Sequence, residues 1–484
     1  MAEAHRFEGK DLAERLSAIV GKTVAEVDSA HVLGAPGASR NKGIVGLVVE
    51  RSVLGYPPDN EQRPDLVVDG EDVELKATGL VESSRGGWRA KECMSVTAVS
   101  PKRIVSESFS TSAFWHKARR LLIVYYLYVK PGAGVRVEVA TFEFKGYDLH
   151  TWSEVDRARL EVDWTIVRDY VRRAMSDPAA LMPGLSTLVN PSLLYLDTSP
   201  KYPHAPRFRL KSSLVTQIAR ERLDGNMRMV ADDPALDSMA SVRERLSSVA
   251  AANAGKTLAQ LAGELGVPVL SRTGKESKSL SEQVMVRLFT GRPGKASQVP
   301  LFMKAGLTLK TLALTATGRR TEDMKLNPCI DFDELTDPAS DFDDSSFAAL
   351  VSSRTLVVAV LSEQGSGRPL SSCRLLGFKL LWLGSYLDEA RRLWDGMRSL
   401  VFEGRLVDVP VLTRDGSPRL TPKTRVPMSA PNWPKSADGD LFVRGAGSDA
   451  LEKPVEVAGV RMYRQHVWVK GTAIVRMLAR QPFV

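Results

Sequence analysis

The order of features in the first half of this chain recurs in the second half, and this repetition constrains the fold more than any single motif. Residues 41–55 parallel residues 277–291 at a constant offset of 236 residues, from Gly55 to Gly291. At the same offset, Pro64 and Cys93 fall on Pro300 and Cys329. A repeat of this length predicts two domains of the same fold joined in tandem.

Each half mixes helical and strand-like segments. Residues 11–27, 42–54 and 160–175 have helical periodicity. Residues 121–129 form a continuous apolar run typical of a buried strand, and residues 135–144 alternate like a further strand. The pattern therefore predicts an α/β (α+β) domain.

A polar, proline-containing stretch at residues 224–240 separates the two halves, and a new helical pattern begins near Ser241. We therefore predict one domain at residues 1–223, a linker at 224–240, and a second domain at 241–484.

Two short strands carry the residues with the clearest chemistry. Residues 65–68 and 73–78 read as strands joined by the turn Asp69-Gly70-Glu71-Asp72. Asp65 follows Pro64 at the start of the first strand, and the second strand contains Glu74-Leu75-Lys76. Because side chains alternate along a strand, Glu74 and Lys76 share one face.

Two carboxylates and a lysine in this arrangement suit the hydrolysis of a phosphodiester. A divalent ion held by carboxylates activates water and neutralises developing charge. We assign Asp65 and Glu74 as metal ligands, Glu50 on the preceding helix as an outer or second-metal carboxylate, and Lys76 as the group that orients the attacking water. Lys117, before the buried strand, either reaches a phosphate or lies on the surface.

The metal predicted for this site is Mg²⁺. None of the six histidines and three cysteines has a spacing typical of metal ligands, so oxygen atoms are the expected ligands.

The motif Glu-x-Lys alone is weak, since Glu143-Phe144-Lys145 also contains it. That second copy lacks an upstream Pro-Asp at hairpin distance and is interpreted as a solvated strand face. The alternative for Glu74 and Lys76 is an exposed ion pair on an edge strand. The additional presence of Glu50 and Asp65 favours the catalytic interpretation.

The second half has lost these carboxylates. The positions of Glu50, Asp65 and Glu74 are occupied by Val286, Leu301 and Thr308, while Lys278 and Lys310 match Lys42 and Lys76. Without carboxylates a metal has no ligands, but lysines still attract phosphate. The second domain is therefore predicted to bind DNA rather than to cut it.

The net charge of +9 is consistent with a polyanionic partner such as nucleic acid. No run of 18 apolar residues exists, which argues against a membrane-spanning helix. The charged N-terminal sequence does not resemble a signal peptide, so a cytoplasmic location is expected.

At these residues the chain resembles the MutH superfamily of DNA endonucleases. The similar segments are residues 41–50, Pro64-Asp65 with Glu74-Leu75-Lys76, residues 116–121, and residues 208–211. The similarity covers residues 12–222 and recurs weakly from residue 243. A two-copy chain with a degenerate second half is similar to type II restriction endonucleases of this superfamily that cut at GATC.

The resemblance implies a restriction-endonuclease-like PD-(D/E)xK fold, duplicated in tandem, and a magnesium requirement. It places Lys117 in the active site beside Glu50, Asp65, Glu74 and Lys76. It also implies base contacts from loops late in the first domain, and the lysines retained in the second half are the further candidates for DNA contacts. The candidates are Lys42, Lys201, Arg209, Lys211, Lys278, Lys310 and Lys470. Arg209 stands where the family pattern has an aromatic residue, so the recognised base sequence stays open.

We therefore predict a magnesium-dependent type II restriction endonuclease acting on double-stranded DNA. Because one active site cuts one strand per engagement, cutting both strands needs two chains on DNA or successive nicking with reorientation, and the second domain is a candidate to bind a second copy of the site. Two alternatives remain: a mismatch-repair nicking endonuclease, and a DNA-binding protein without enzymatic activity.

Overall fold

The structure is a computed structural model of the chain. It describes residues 5–36, 43–57, 63–82, 86–129, 138–175, 184–198, 206–225, 229–315, 317–318, 322–327, 329–338, 340–352, 354–363, 369–413, 415–421, 425–447 and 453–484. The described residues form two compact units. The first unit comprises residues up to Val129, residues 138–244 and Gly294–Leu307. The second comprises Arg245–Pro293 and Thr308–Val484.

Helices and strands are interspersed along the described chain. The helices are α1 (Gly9–Ser17), α2 (Val24–Val27), α3 (Ile44–Val48), α4 (Pro101–Ile104), α5 (Ala113–Ala118), α6 (Glu154–Ala174), α7 (Ser212–Leu223), α8 (Met239–Asn253), α9 (Leu258–Leu265), α10 (Leu280–Thr290), α11 (Pro300–Ala305), α12 (Phe332–Thr336), α13 (Ser346–Ser352), α14 (Leu387–Phe402) and α15 (Gly471–Arg480).

The strands of the first unit are β1 (Arg6–Phe7), β2 (Leu66–Val68), β3 (Glu71–Glu82), β4 (Trp88–Ala90), β5 (Met94–Ala98), β6 (Arg120–Leu127), β7 (Glu143–Thr151), β8 (Leu196–Thr198) and β9 (Arg207–Leu210). Those that follow are β10 (Leu307–Leu314), β11 (Met324–Lys325), β12 (Thr355–Ser362), β13 (Arg374–Trp382), β14 (Asp408–Pro410), β15 (Ser429–Pro431), β16 (Leu441–Ala446), β17 (Val455–Val457), β18 (Val460–Met462) and β19 (Arg464–Val469).

The main sheet of the first unit has the strand order β1-β2-β3-β6-β7, with β4 also paired to β3. The predicted hairpin is present as β2 and β3, which pair antiparallel. Asp69 and Gly70 connect them with φ angles of 51° and 83°. Two positive φ values are what a tight type I′ hairpin turn requires, and Asp-Gly is a favoured pair for it. The predicted buried strand is β6, which runs parallel to β3.

Two sequence-based boundaries are wrong. The helix predicted over residues 11–27 is divided into α1 and α2, because Gly21 adopts a φ of 84°, outside the helical range. The strand predicted at residues 135–144 does not occupy that range: a 3₁₀ turn covers Val139–Thr141, and β7 begins at Glu143. Residues 130–137 lie outside the described part of the chain.

A second, three-stranded sheet of the first unit has the order β5-β9-β8. The long helix α6, predicted at residues 160–175, packs near it and begins earlier, at Glu154, where the Ser153 side chain caps its first turn. Trp164 on this helix is fully buried and its ring lies 6.0 Å from that of Phe109. These contacts fix the helix that supports β8.

The stretch predicted as a linker is attached to the first unit by buried charges. Arg159 on α6 is fully buried and donates to both carboxylate oxygens of Asp232, at 2.7 and 3.0 Å. Farther along the chain, Lys304 on α11 forms an ion pair with Asp156 at 2.7 Å. The chain is therefore not divided into its two units by a single boundary at residues 224–240, because Gly294–Leu307 also packs within the first unit.

The second unit contains two three-stranded sheets, in the orders β10-β12-β13 and β11-β19-β16, and two separate hairpins, β14-β15 and β17-β18. Its core surrounds the buried Trp394 and Trp433. The described chain is thus a mixed α/β structure, as predicted. None of its described helices is long and apolar enough to cross a membrane.

Candidate active site

The β2–β3 hairpin brings Asp65 next to Glu74. Asp65 directly precedes β2, and its Oδ2 accepts a hydrogen bond from the backbone N–H of Leu75 at 2.8 Å. Its carbonyl oxygen accepts from Nδ1 of His5, also at 2.8 Å. Both ends of the residue are therefore held, and its carboxylate lies beside the strand that carries Glu74.

Glu74 lies at the centre of the cluster and is only 2% exposed. Its Oε1 accepts from Nζ of Lys76 at 2.7 Å. Nζ of Lys117 donates to Oε1 and Oε2 at 3.1 and 3.0 Å. Lys117 comes from α5, directly before β6, and β6 pairs Leu121 with Glu74. The parallel pairing of β3 and β6 thus brings Lys117 to the hairpin.

The electrostatics of the cluster favour a cation. Burial raises the pKa of Asp65, and the charge of Glu74 raises it further, while Lys76 and Lys117 act in the opposite direction. Two carboxylates side by side and withdrawn from water repel each other, and a divalent cation relieves that repulsion. The ammonium groups of Lys76 and Lys117 neutralise part of the negative charge around Glu74.

Glu50 does not complete a three-ligand site. It lies in the π-helical segment Val49–Leu54 that continues α3. The preceding turn of α3 packs on β3, since a Cβ atom at Gly46 would lie 3.9 Å from that of Ala77. In the described ranges, however, no three His, Cys, Asp or Glu side chains are grouped so as to hold a metal ion. Asp65 and Glu74 still fit Mg²⁺, which proteins bind through one or two carboxylates together with substrate phosphates.

The residues predicted to contact DNA in the first unit have different surroundings. Arg209 is half-buried and forms an ion pair with Asp197 at 3.0 Å. Lys211 is buried and donates to the carbonyl oxygen of Leu193 at 2.6 Å, and burial lowers its pKa. This geometry holds the ammonium group of Lys211 at the Leu193 carbonyl, and its contact with DNA stays a prediction. Lys42 and Lys201 lie outside the described residues.

The three lysines predicted for the second unit are placed on separate elements. Lys278 is exposed ahead of α10, Lys310 is half-buried on β10, and Lys470 is half-buried at the start of α15. Because the three lysines lie on separate elements, their contacts with DNA phosphates stay a prediction.

Two arginines near the cluster were missed. Arg103 and Arg207 line a cleft of about 260 Å³ together with Lys117 and Trp164. Cationic side chains in a cleft next to the hydrolytic groups are suited to hold a phosphate backbone. Arg207 could have been noticed because it lies two residues before Arg209 on β9, whereas no sequence pattern connects Arg103 with Lys117.

The sheet with its carboxylate-lysine cluster fits a nuclease of the MutH and restriction-endonuclease superfamily. The family model described as DNA mismatch repair enzyme MutH matches residues 54–163. The matched segment contains Asp65, Glu74, Lys76 and Lys117. The match supports a MutH-like DNA endonuclease, and nucleases with this fold are generally metal-dependent. None of the curated proteins matches the chain.

Proposed function

We propose that this chain is a magnesium-dependent type II restriction endonuclease that hydrolyses both strands of DNA at a specific sequence. The observation that carries the proposal is the contact of Glu74 with Lys76 and Lys117 beside Asp65. It occurs within the segment similar to MutH. An exposed ion pair on an edge strand, the alternative interpretation, does not fit a glutamate that is 2% exposed.

Each residue of the cluster has a role in this proposal. Asp65 and Glu74 would hold Mg²⁺, which supplies a nucleophilic water and stabilises charge on the phosphate. Glu50 would take part through water or after the substrate has bound. Lys76 orients the attacking water, and Lys117 neutralises the scissile phosphate. Both ammonium groups would exchange part of their contact with Glu74 for contact with the phosphate.

We propose further that the second unit is a degenerate copy of the first. Support comes from equivalent hydrogen bonds: the indole of Trp152 donates to the carbonyl of Ala118 at 2.7 Å, and that of Trp382 to Ser352 at 3.0 Å. Strands β3-β6-β7 correspond to β10-β12-β13, and β5-β9-β8 to β11-β19-β16. Capping boxes begin α2 at Thr23 and α9 at Thr257.

The proposed copy is imperfect where the carboxylates of the first unit lie. Leu301, aligned with Asp65, is buried in helix α11, within the segment that packs in the first unit, rather than placed at a strand start. Thr308 replaces Glu74 at the beginning of β10. A unit without these carboxylates would bind DNA without cutting it and would regulate the first unit.

The decisive test is incubation of supercoiled, unmethylated plasmid with the wild-type protein and with Asp65→Ala, in Mg²⁺ or in EDTA. We expect discrete linear fragments that require both Mg²⁺ and Asp65. Their ends would give the recognition sequence. Nicked circles alone would support the mismatch-repair nickase instead. An intact plasmid that is nevertheless bound would support a DNA-binding protein.

The regulatory role of the second unit predicts a dependence on the number of sites. Plasmids with two sites should be cut about tenfold faster than plasmids with one, because the second site is held at a high effective concentration. Triple substitution of Lys278, Lys310 and Lys470 by glutamine should remove the difference. Equal rates for both plasmids, together with a rate per enzyme that does not depend on enzyme concentration, would refute both regulation by a second site and pairing of chains.

A further inference from the structure

The second unit contains a large cavity between two hairpins that have no counterpart among the described strands of the first unit. Hairpin β14-β15 lies on one side, and β17-β18 leads into β19 on the other. The cavity has a volume of about 810 Å³, within the range of small-molecule sites. It lies beside β16 and β19, the strands that correspond in our proposal to β8 and β9.

The wall of the cavity is cationic. The charged residues that line it are Arg419, Lys435, Arg444 and Lys453, with no carboxylate among the described lining residues. Arg444 pairs with Asp323 and Lys453 with Asp408, each at 2.8 Å. Even when these two carboxylates and Asp438 beside Lys435 are counted, the wall keeps a net positive charge. An anionic group is therefore the favoured occupant.

Aromatic and amide groups form the rest of the lining. Trp433, Phe442 and Tyr463 line the cavity, and Trp433 is held by a hydrogen bond from its indole to the sulfur of Met462 at 3.3 Å. Gln465, 2% exposed, is held by donation from Nε2 to the carbonyl oxygen of Tyr463 at 2.8 Å. Trp433 and Phe442 are each 1% exposed and form the apolar floor of the cavity, whereas Tyr463 is half-buried and is the ring on which an unstacked base can stack.

We propose that this cavity takes one nucleotide of DNA turned out of the base stack. The base would stack on Tyr463 above the floor formed by Trp433 and Phe442, and the flanking phosphates would face Arg419 and Lys435. A duplex surface alone needs no cavity of this volume, whereas an extrahelical nucleotide needs both an aromatic ring and cations. The inference rests on the proposed function, since it names how the second unit holds DNA.

The test compares two duplexes of the same sequence, one fully paired and one with a central bubble that contains 2-aminopurine. In EDTA, the wild-type protein should bind the bubble duplex about tenfold more tightly, since its base is already unstacked. The 2-aminopurine fluorescence should be quenched by stacking. Tyr463→Ala and Arg419→Ala should lose the preference.

Arg461→Ala is the matched control, because Arg461 lies on the neighbouring strand β18, is 75% exposed and does not line the cavity. It should keep the wild-type preference. The inference is overturned if the wild type binds both duplexes equally, or if the cavity variants keep the preference with unchanged melting curves. The inference would also be overturned if the protein bound free deoxynucleotides but did not quench the 2-aminopurine fluorescence of the bubble duplex. Plasmid cleavage in Mg²⁺ reports the proposed function separately.

Discussion

Glu74→Gln should lower the rate of plasmid cleavage by at least about 10³-fold while DNA affinity in EDTA changes less than about threefold. The substitution keeps the size of the side chain and removes its charge. Its carboxylate contacts two ammonium groups and lies beside Asp65, so a neutral amide would weaken metal binding and misplace both lysines. Single-turnover cleavage and fluorescence anisotropy measure the two effects.

Glu143→Gln is a closely matched control. Glu143 and Lys145 also form an ion pair two residues apart on a strand, at 2.6 Å, but outside the cluster. Its cleavage rate should remain within about twofold of wild type, since exposed ion pairs contribute little. If Glu74→Gln kept more than a tenth of the wild-type rate, or if Glu143→Gln were equally impaired, the cluster would not be the hydrolytic site.

Arg159→Met should lower the free energy of unfolding of the first unit by about 3–5 kcal/mol, because it leaves buried hydrogen-bond acceptors without a donor. Besides Asp232, the guanidinium donates to the hydroxyl of Tyr195 at 2.8 Å and to the carbonyl oxygens of Leu236 and Asp233 at 2.9 and 3.1 Å. Urea unfolding followed by tryptophan fluorescence gives the change.

The control for this loss lies on the same helix. Arg157 is half-exposed and pairs with Glu161 at 3.9 Å, so Arg157→Met should cost less than about 1 kcal/mol. A result for Arg159→Met within 1 kcal/mol of Arg157→Met would contradict the argument that buried charges hold residues 232–236 on α6.

Local signals made the hairpin and its cluster predictable. The Asp-Gly turn and the alternation of Glu74 and Lys76 are properties of a few adjacent residues. The residues around Lys117 left its role undecided, and the resemblance to the MutH superfamily placed it in the active site. The structure shows why it belongs there: pairing of β3 with β6 brings α5, and with it Lys117, to Glu74.

Long-range pairings were not predictable in the same way. Three partners of Arg159 (Asp232, Asp233 and Leu236) lie more than 70 positions away in the sequence, within a polar stretch that resembles a linker. Strand β7 was misplaced because a β-bulge at Gly146, where φ is 154°, interrupts the alternation of its side chains. Lys211 was predicted to contact DNA, and the sequence did not indicate that packing places its ammonium group at the Leu193 carbonyl.

The parallel pairing of β3 with β6 has a consequence for biosynthesis. A nascent chain that ends after the β2–β3 hairpin already carries Asp65, Glu74 and Lys76 but neither Lys117 nor the strand that orders it. Non-local pairings of this kind form slowly, and chains fold from the N-terminus as they are synthesised. We therefore expect ribosome-bound chains that end before Leu127 to be unable to cut DNA, so nuclease activity appears only once β6 is available to the hairpin.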